Sequence, residues 1–169
     1  MLTAIKIRIY PNAEQEGSLA KAFGCARWLW NNNLAETRRV YQETGKGLGQ
    51  FALTKRLPAL KREISWLSEA YSQSLQGVCL NTSRAFVNFF ERRAKYPNFK
   101  SKHDKQSLQY PQGVKIMEGR KIFLPKLGCV NAVVHREIVG TIKTVTVSRN
   151  QAGRYFASLL TETGVAAPR

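Results

Sequence analysis

The chain has 169 residues, one domain's length with room for a small insert. It carries 27 Lys and Arg against 11 Asp and Glu, a net +16, on a composition that is 43% hydrophobic, so the charge belongs to a folded surface that attracts polyanions and not to a disordered tail. Asp104 is the only Asp, which leaves two-metal phosphodiester cleavage poorly supplied with carboxylates, and no apolar run approaches the roughly 20 residues of a membrane span.

The segment TAIKIRIY, residues 3–10, alternates Ile5, Ile7 and Ile9 with Lys6 and Arg8, predicting a half-buried strand with a basic outer face. Pro11-Asn12 ends it, and the acidic turn Glu14-Gln15-Glu16 opens a helix whose apolar positions recur from Leu19 to Leu34 and carry it to about Glu43. A glycine-rich loop, 44–49, separates it from a second helical pattern, Leu53 to Ile64, which Pro58 shortens or kinks. Leu75, Val78, Cys79, Thr82, Phe86 and Phe90 form a third stripe. The tryptophans Trp28, Trp30 and Trp66 fall in these amphipathic patterns and are expected in the core. Cys25, Cys79 and Cys129 are widely spaced with no CxxC or Cys/His cluster, so they are expected as buried, reduced thiols with no metal or cofactor to hold.

From Glu91 to Lys105, ERRAKYPNFKSKHDK places six cations around Tyr96 and Phe99, and Pro97 forbids a continuous helix. This predicts an exposed basic loop over 92–105, with Arg92, Arg93, Lys95, Lys100, Lys102 and Lys105 as phosphate ligands. Beyond it the period becomes two, in Val114/Ile116, Ile122/Leu124, Val130/Val133, Ile142/Val145/Val147 and Tyr155/Ala157/Leu159, with Gly and Pro punctuation between segments. That is a small antiparallel β-barrel or strongly curled sheet, and its C-terminal strands are the available partners of the isolated first strand. The fold class is therefore α+β, with a β-barrel of residues 1–10 and 106–161, a three-helix insert of 11–105 after the first strand, and a tail, 162–169. A second basic set, Lys121, Lys126, Arg136, Lys143, Arg149 and Arg154, is expected to line one side of the β unit.

Two uncharged segments could read bases. Ser72, Gln73 and Gln76 open the third helix, where they can cap it or meet an adenine edge. Tyr110-Pro111-Gln112 offers an aromatic and a polar edge beside the basic loop, although a turn uses the same residues. His135-Arg136-Glu137 gathers an acid, a base and a cation without a nucleophile, and no Walker loop, GxSxG, HExxH or Asp pair occurs. The chain reads as a binder and not as an enzyme.

In order, RIYPNAEQ, FGCARWLWNNNL, ETGKG, SWLSEAYSQSLQ, TSRAFVNFFERR, YPNFKSK, QSLQYPQGVKI, LPKLGCV, HREIVGTIKTVTVSR and GRYFASLL resemble the N-terminal half of TnpB. TnpB proteins are the OrfB-type proteins of insertion sequences, related to type V CRISPR effectors. The resemblance implies a wedge (WED) β-barrel interrupted by a helical recognition (REC) insert, and as partners a guide RNA and a double-stranded DNA target carrying a short flanking motif. It further implies that Gln50, Phe51 and Thr54, then Ser72, Gln73 and Gln76, then Tyr110, Pro111 and Gln112 face that motif, with the basic residues on nucleic-acid backbone. In that family a RuvC nuclease domain with three metal-binding carboxylates follows, later joined by a zinc-binding segment. This stretch is therefore expected to bind without cleaving, in the cytoplasm near the nucleoid. Two other readings stay open: a subunit that assembles with a separate RuvC-bearing chain, and an RNA-independent helix-turn-helix regulator.

Overall fold

The alternating segment at the N-terminus is β1 (Leu2–Tyr10) in the computed structural model, which describes residues 1–118, 120–135 and 137–164. Its Ile5, Ile7 and Ile9 are buried. The chain divides into two units, one of Met1–Phe23 with His103–Arg169 and one of Gly24–Lys102.

In the first unit β1 is the centre of a seven-stranded antiparallel sheet. The other strands are β2 (Gln106–Tyr110), β3 (Lys115–Met117), β4 (Lys121–Leu124), β5 (Gly128–Val133), β6 (Thr141–Arg149) and β7 (Tyr155–Glu162), in the spatial order β2-β6-β7-β1-β5-β4-β3. β1 pairs with β7 from Leu2↔Glu162 to Ile9↔Tyr155, and with β5 from Arg8↔Val133 to Tyr10↔Asn131. The isolated first strand thus takes its partners from the C-terminal strands. The N-terminal ammonium and the Glu162 carboxylate, 2.6 Å apart, clasp the open end of the β1–β7 ladder, and this ion pair holds Glu162 below the usual carboxylate range.

Of the two forms expected, a barrel or a strongly curled sheet, the sheet is the curled one, a half-barrel with β2 and β3 as its two edges. β3 has only three residues, with Lys115 and Met117 exposed, too short a ladder to carry closure. Two irregularities in the hydrophobic spacing find their cause in register. Ile142 and Val145 lie three apart because the β6–β7 register shifts between Ile142 and Thr144, leaving Lys143 as the extra residue of a bulge. In β5 the buried pair is Val130 and Ala132, while Val133 stands opposite Arg8 on the other face. At the hairpins, Gly128 (φ 92°) and Gly153 (φ 81°) supply the left-handed backbone the tight turns need.

Helix α1 (Ala13–Thr44) starts on a reciprocal cap. Gln15 N–H donates to Asn12 Oδ1 at 2.8 Å, and Asn12 N–H donates to Gln15 Oε1 at 2.9 Å. Gln15 Nε2 also donates to the Cys129 carbonyl on β5 at 2.7 Å, tying this first turn to the sheet.

In the second unit α1 ends at Gly45 (φ 76°). The second predicted helix is two short ones, α2 (Gln50–Lys55) and α3 (Leu57–Glu63), followed by a 3₁₀ turn, Ser65–Glu69. Pro58 sits in the first turn of α3, where its missing N–H needs no partner. The last helix is α4 (Ser72–Phe90). Its N-cap is Tyr71 with no side-chain cap bond, so Ser72 and Gln73 do not cap it; Ser74 is buried with its hydroxyl unpartnered. Leu29, Leu34, Leu53, Leu67, Leu75 and Cys79 form the core.

The tryptophans are not in that core. Trp28 and Trp30 are half-buried on α1, flanking the buried Leu29, and Trp66 on the 3₁₀ turn is exposed and meets Trp28 edge-on at 5.7 Å. Cys129 also departs from expectation. Cys25 and Cys79 are buried, and burial pushes the Cys79 thiol up, whereas Cys129 is exposed on the outward face of β5. Iodoacetamide on the native protein is expected to alkylate Cys129 alone, and all three cysteines after denaturation; a native adduct on Cys79, read by mass spectrometry, would contradict this packing.

Candidate nucleic-acid interface

The basic loop is exposed but held. Within the second unit, Trp30 Nε1–H donates to the Asn98 carbonyl at 2.9 Å. Asn31 brackets Lys100, accepting its N–H at 2.8 Å and donating to its carbonyl at 2.9 Å. Arg38 lies over both Tyr96 (5.7 Å) and Phe99 (5.8 Å), and Pro97 is buried. These anchors fix the backbone over 96–100 while Arg92, Arg93, Lys95, Lys100 and Lys102 remain exposed. Less chain entropy is then lost when phosphates bind. The cations are not equivalent. Arg93 pairs with Glu91, and the Lys100 ammonium sits 4.1 Å from the Trp30 ring, where desolvation pushes its pKa down. Lys105 is exposed immediately before β2, in the first unit.

The second basic set is not brought onto one side of the sheet, because side chains opposite each other in register share a face. Lys121 stands in the row Tyr10–Asn131–Lys121–Met117. Arg149 stands in the row Gln106–Arg149–Tyr155–Ile9, which belongs to the core face and reaches solvent only at its rim. Lys126 and Arg154 occupy hairpin turns and Lys143 the bulge, all exposed. Arg136 lies outside the described residues.

The outward sheet face carries a cluster that the strand pattern signals only as its alternating Lys6 and Arg8. The Lys6 ammonium is 4.5 Å from the Phe156 ring centroid, and the Arg8 guanidinium lies 4.9 Å from Tyr10 and 5.5 Å from Phe156. Arg8 Nε is buried there with no hydrogen-bond partner. Phe156 escapes sequence reasoning because its place beside Arg8 is set by β1–β7 register across the whole chain.

Of the expected base readers, Gln50 and Phe51 are exposed at the start of α2, Phe51 at 80%. Thr54 is half-buried and bonded to the Cys79 thiol, which faces inward. Ser72 and Gln76 are exposed and Gln73 half-buried on the first turns of α4, against which α2 packs. Tyr110, Pro111 and Gln112 lie in the other unit. Gln112 is exposed and Pro111 half-buried, but Tyr110 is 2% exposed opposite Val145, and burial pushes its hydroxyl up. Its ring belongs to the sheet core and presents no stacking face.

Among the described residues no group of three or more His, Cys, Asp and Glu could hold a metal ion, and no helix is long and apolar enough to cross a membrane. Exposed cations interleaved with aromatics, on a chain of net charge +16, define a nucleic-acid-binding module.

Comparison with known proteins makes this particular. Residues 1–46 match the OrfB_IS605-type family model described as a helix-turn-helix domain. Over those residues the structure has β1 followed by one uninterrupted helix. InsQ of Escherichia coli (strain K12), named as an RNA-guided DNA endonuclease, is 34% identical over 170 residues, 99% of this chain and 42% of InsQ. A Streptomyces pristinaespiralis protein of similar name is 34% identical over 172 residues, 94% of this chain and 41% of that protein. The virulence protein VsdF of Salmonella dublin is 34% identical over 116 residues, 62% of this chain and 98% of VsdF. The chain belongs to the TnpB family of OrfB-type insertion-sequence proteins, and it spans about 42% of the length of its endonuclease relatives, matching their N-terminal half.

Proposed function

We propose that this chain is the nucleic-acid-binding portion of a TnpB-type, RNA-guided DNA-targeting protein. In this reading its residues bind guide RNA and duplex target and read a flanking motif, and they bind rather than cleave. The observation that carries it is the held basic loop, whose backbone is fixed by Trp30, Asn31 and Arg38 while its cations face solvent. Such a surface suits phosphates of any sequence, as a protein must when base pairing supplies the specificity. The unit of the half-barrel is assigned as the wedge domain and the helical unit as the recognition domain. Gln50, Phe51, Ser72 and Gln76 on the second and Gln112 on the first are assigned to the flanking motif. An RNA-independent helix-turn-helix regulator formed by the helical insert is the second reading; since residues 13–44 form a single helix, its turn would lie between α1 and the later helices.

Sequencing the RNA that co-purifies from the native host tests the reading. RNA mapping beside an insertion-sequence end is expected; only random RNA, lost as salt is raised, would overturn it. Changing Gln76 or Gln112 to Ala is expected to relax the flanking-motif preference by about 1–3 kcal/mol for each bidentate base contact, leaving binding to non-target sequences unaltered. Uniform loss across sequences would transfer these residues to the backbone-contacting class.

A further inference from the structure

Between the C-terminal halves of α1 and α4, within the helical unit, lies an open groove of about 730 Å³ walled by Tyr41, Phe86, Phe89, Phe90 and Tyr96. Its rings already make edge and tilted contacts: Phe89 with Tyr96 at 5.1 Å, Phe86 with Tyr96 at 5.6 Å, Tyr41 with Phe90 at 6.2 Å. Only Phe86 is buried. Phe90 is 57% exposed and Tyr41 49%, so two neighbouring aromatic rings stand open to solvent.

The wall also holds Thr37, which is 3% exposed, with its hydroxyl buried and lacking any hydrogen-bond partner. That hydroxyl is closed off from solvent, so the class of occupant is set by the flat aromatic walls and by charge. The charge narrows the class further. Among the described residues Arg38 is the only charged one in the wall and no carboxylate accompanies it, and Arg92, Arg93 and Lys95 follow directly on α4.

We infer that this groove takes an unpaired nucleobase of a single-stranded nucleic acid, stacked on Tyr41 and Phe90, with its backbone led out along the Arg38 side toward the basic loop. A paired base in a duplex exposes only its edges, so the groove selects single strands and not helices. The volume falls within the roughly 300–1,000 Å³ of small-ligand sites, which suits a nucleotide. This rests on the nucleic-acid-binding reading above, and it adds a base-dependent component to the phosphate contacts of the basic loop.

The test is a titration of the full chain with oligouridylate and with an abasic sugar-phosphate oligomer of equal length, in ribose and deoxyribose forms. Oligouridylate is expected to bind about tenfold more tightly than its abasic counterpart, the effect of one stacked base. The paired change Tyr41→Ala with Phe90→Ala is expected to bring the ratio to about one; both side chains are half exposed, and unchanged helicity by circular dichroism confirms the fold. A base advantage in either sugar supports the groove and names the strand it takes. Equal affinities for base-bearing and abasic oligomers, or an advantage that survives the double change, would overturn the inference while leaving phosphate binding intact. A dimer dissolved by the double change, with no base dependence, would give the groove to a second copy and overturn it too. Binding of neither oligomer at low salt would defeat the nucleic-acid reading itself.

Discussion

Replacing Arg92, Lys95, Lys102 and Lys105 together by alanine is expected to weaken binding to RNA and DNA by about three orders of magnitude near 0.1 M salt. The slope of log K against log salt should fall by about three, since each lost phosphate contact removes roughly 0.7–0.9 from it. All four are exposed, so their loss should not unfold the chain. Two neighbours are left in place for physical reasons. Arg93 is engaged by Glu91, and Lys100 caps Trp30 while its backbone is bracketed by Asn31, so changing Lys100 would loosen the loop as well as remove a charge. Fluorescence anisotropy on single-stranded and duplex probes over a salt series reads both quantities. A loss of affinity with no change of slope would show that the loop acts by shape; a loss confined to one sequence would make it a base reader. Lys100 adds a pH signature. Its pKa lies below the ordinary lysine value through desolvation, so it gives up its proton at a lower pH in the folded chain than in the unfolded one, where the value is near 10.5. The unfolded chain holds that proton more tightly than the folded one, so the Lys100 contribution to stability rises with pH across that interval while its contribution to phosphate binding falls.

Local periodicity made most of the elements legible, and long-range register decided the rest. Ile5, Ile7 and Ile9 announce β1 without help, and the acidic turn at Glu14 and Glu16 announces the start of α1. The basic loop was legible as a composition, but not as a held structure, because its anchors Trp30 and Asn31 lie 68 and 69 residues away on a helix face. Tyr110 shows the limit most clearly. Tyr-Pro-Gln suits a stacking turn and a strand end equally, and only the pairing of Tyr110 with Val145 turns the ring into the core. The same holds for the α4 stripe. Phe86 and Phe90 are one helical turn apart and read alike, yet Phe86 is 7% exposed and Phe90 57%, since the packed face of α4 is narrower than its apolar stripe. The proposed base-stacking groove lies in that excess of apolar surface.

Changing Asn33 to Leu is expected to destabilise the helical unit by about 3 kcal/mol, the second large effect, and for a reason opposite to charge removal from the surface. Asn33 is wholly buried on α1 and joins three elements. Its Oδ1 accepts from Arg56 Nη1 at 3.2 Å, at the α2–α3 junction, and its Nδ2 donates to Thr82 Oγ1 at 3.4 Å and to Cys79 Sγ at 3.5 Å on α4. Leucine of similar volume would leave that guanidinium arm without its acceptor, with only the Arg56 Nη2 bond to Asn32 Oδ1 at 2.5 Å remaining. Thr82 would be little affected, as its hydroxyl donates to the Val78 carbonyl at 2.8 Å. The penalty therefore resides in a half-buried cation, and removing that cation should relieve it. The double variant Asn33→Leu with Arg56→Met is expected to be more stable than the sum of the single losses predicts, by 1 kcal/mol or about that, in urea unfolding. Strict additivity would show that the cost of Asn33→Leu is one of packing. Because Arg56 fixes the end of α2, whose exposed Gln50 and Phe51 are assigned to the flanking motif, Asn33→Leu should also blunt motif discrimination at urea concentrations below the unfolding transition, while phosphate binding through the basic loop persists.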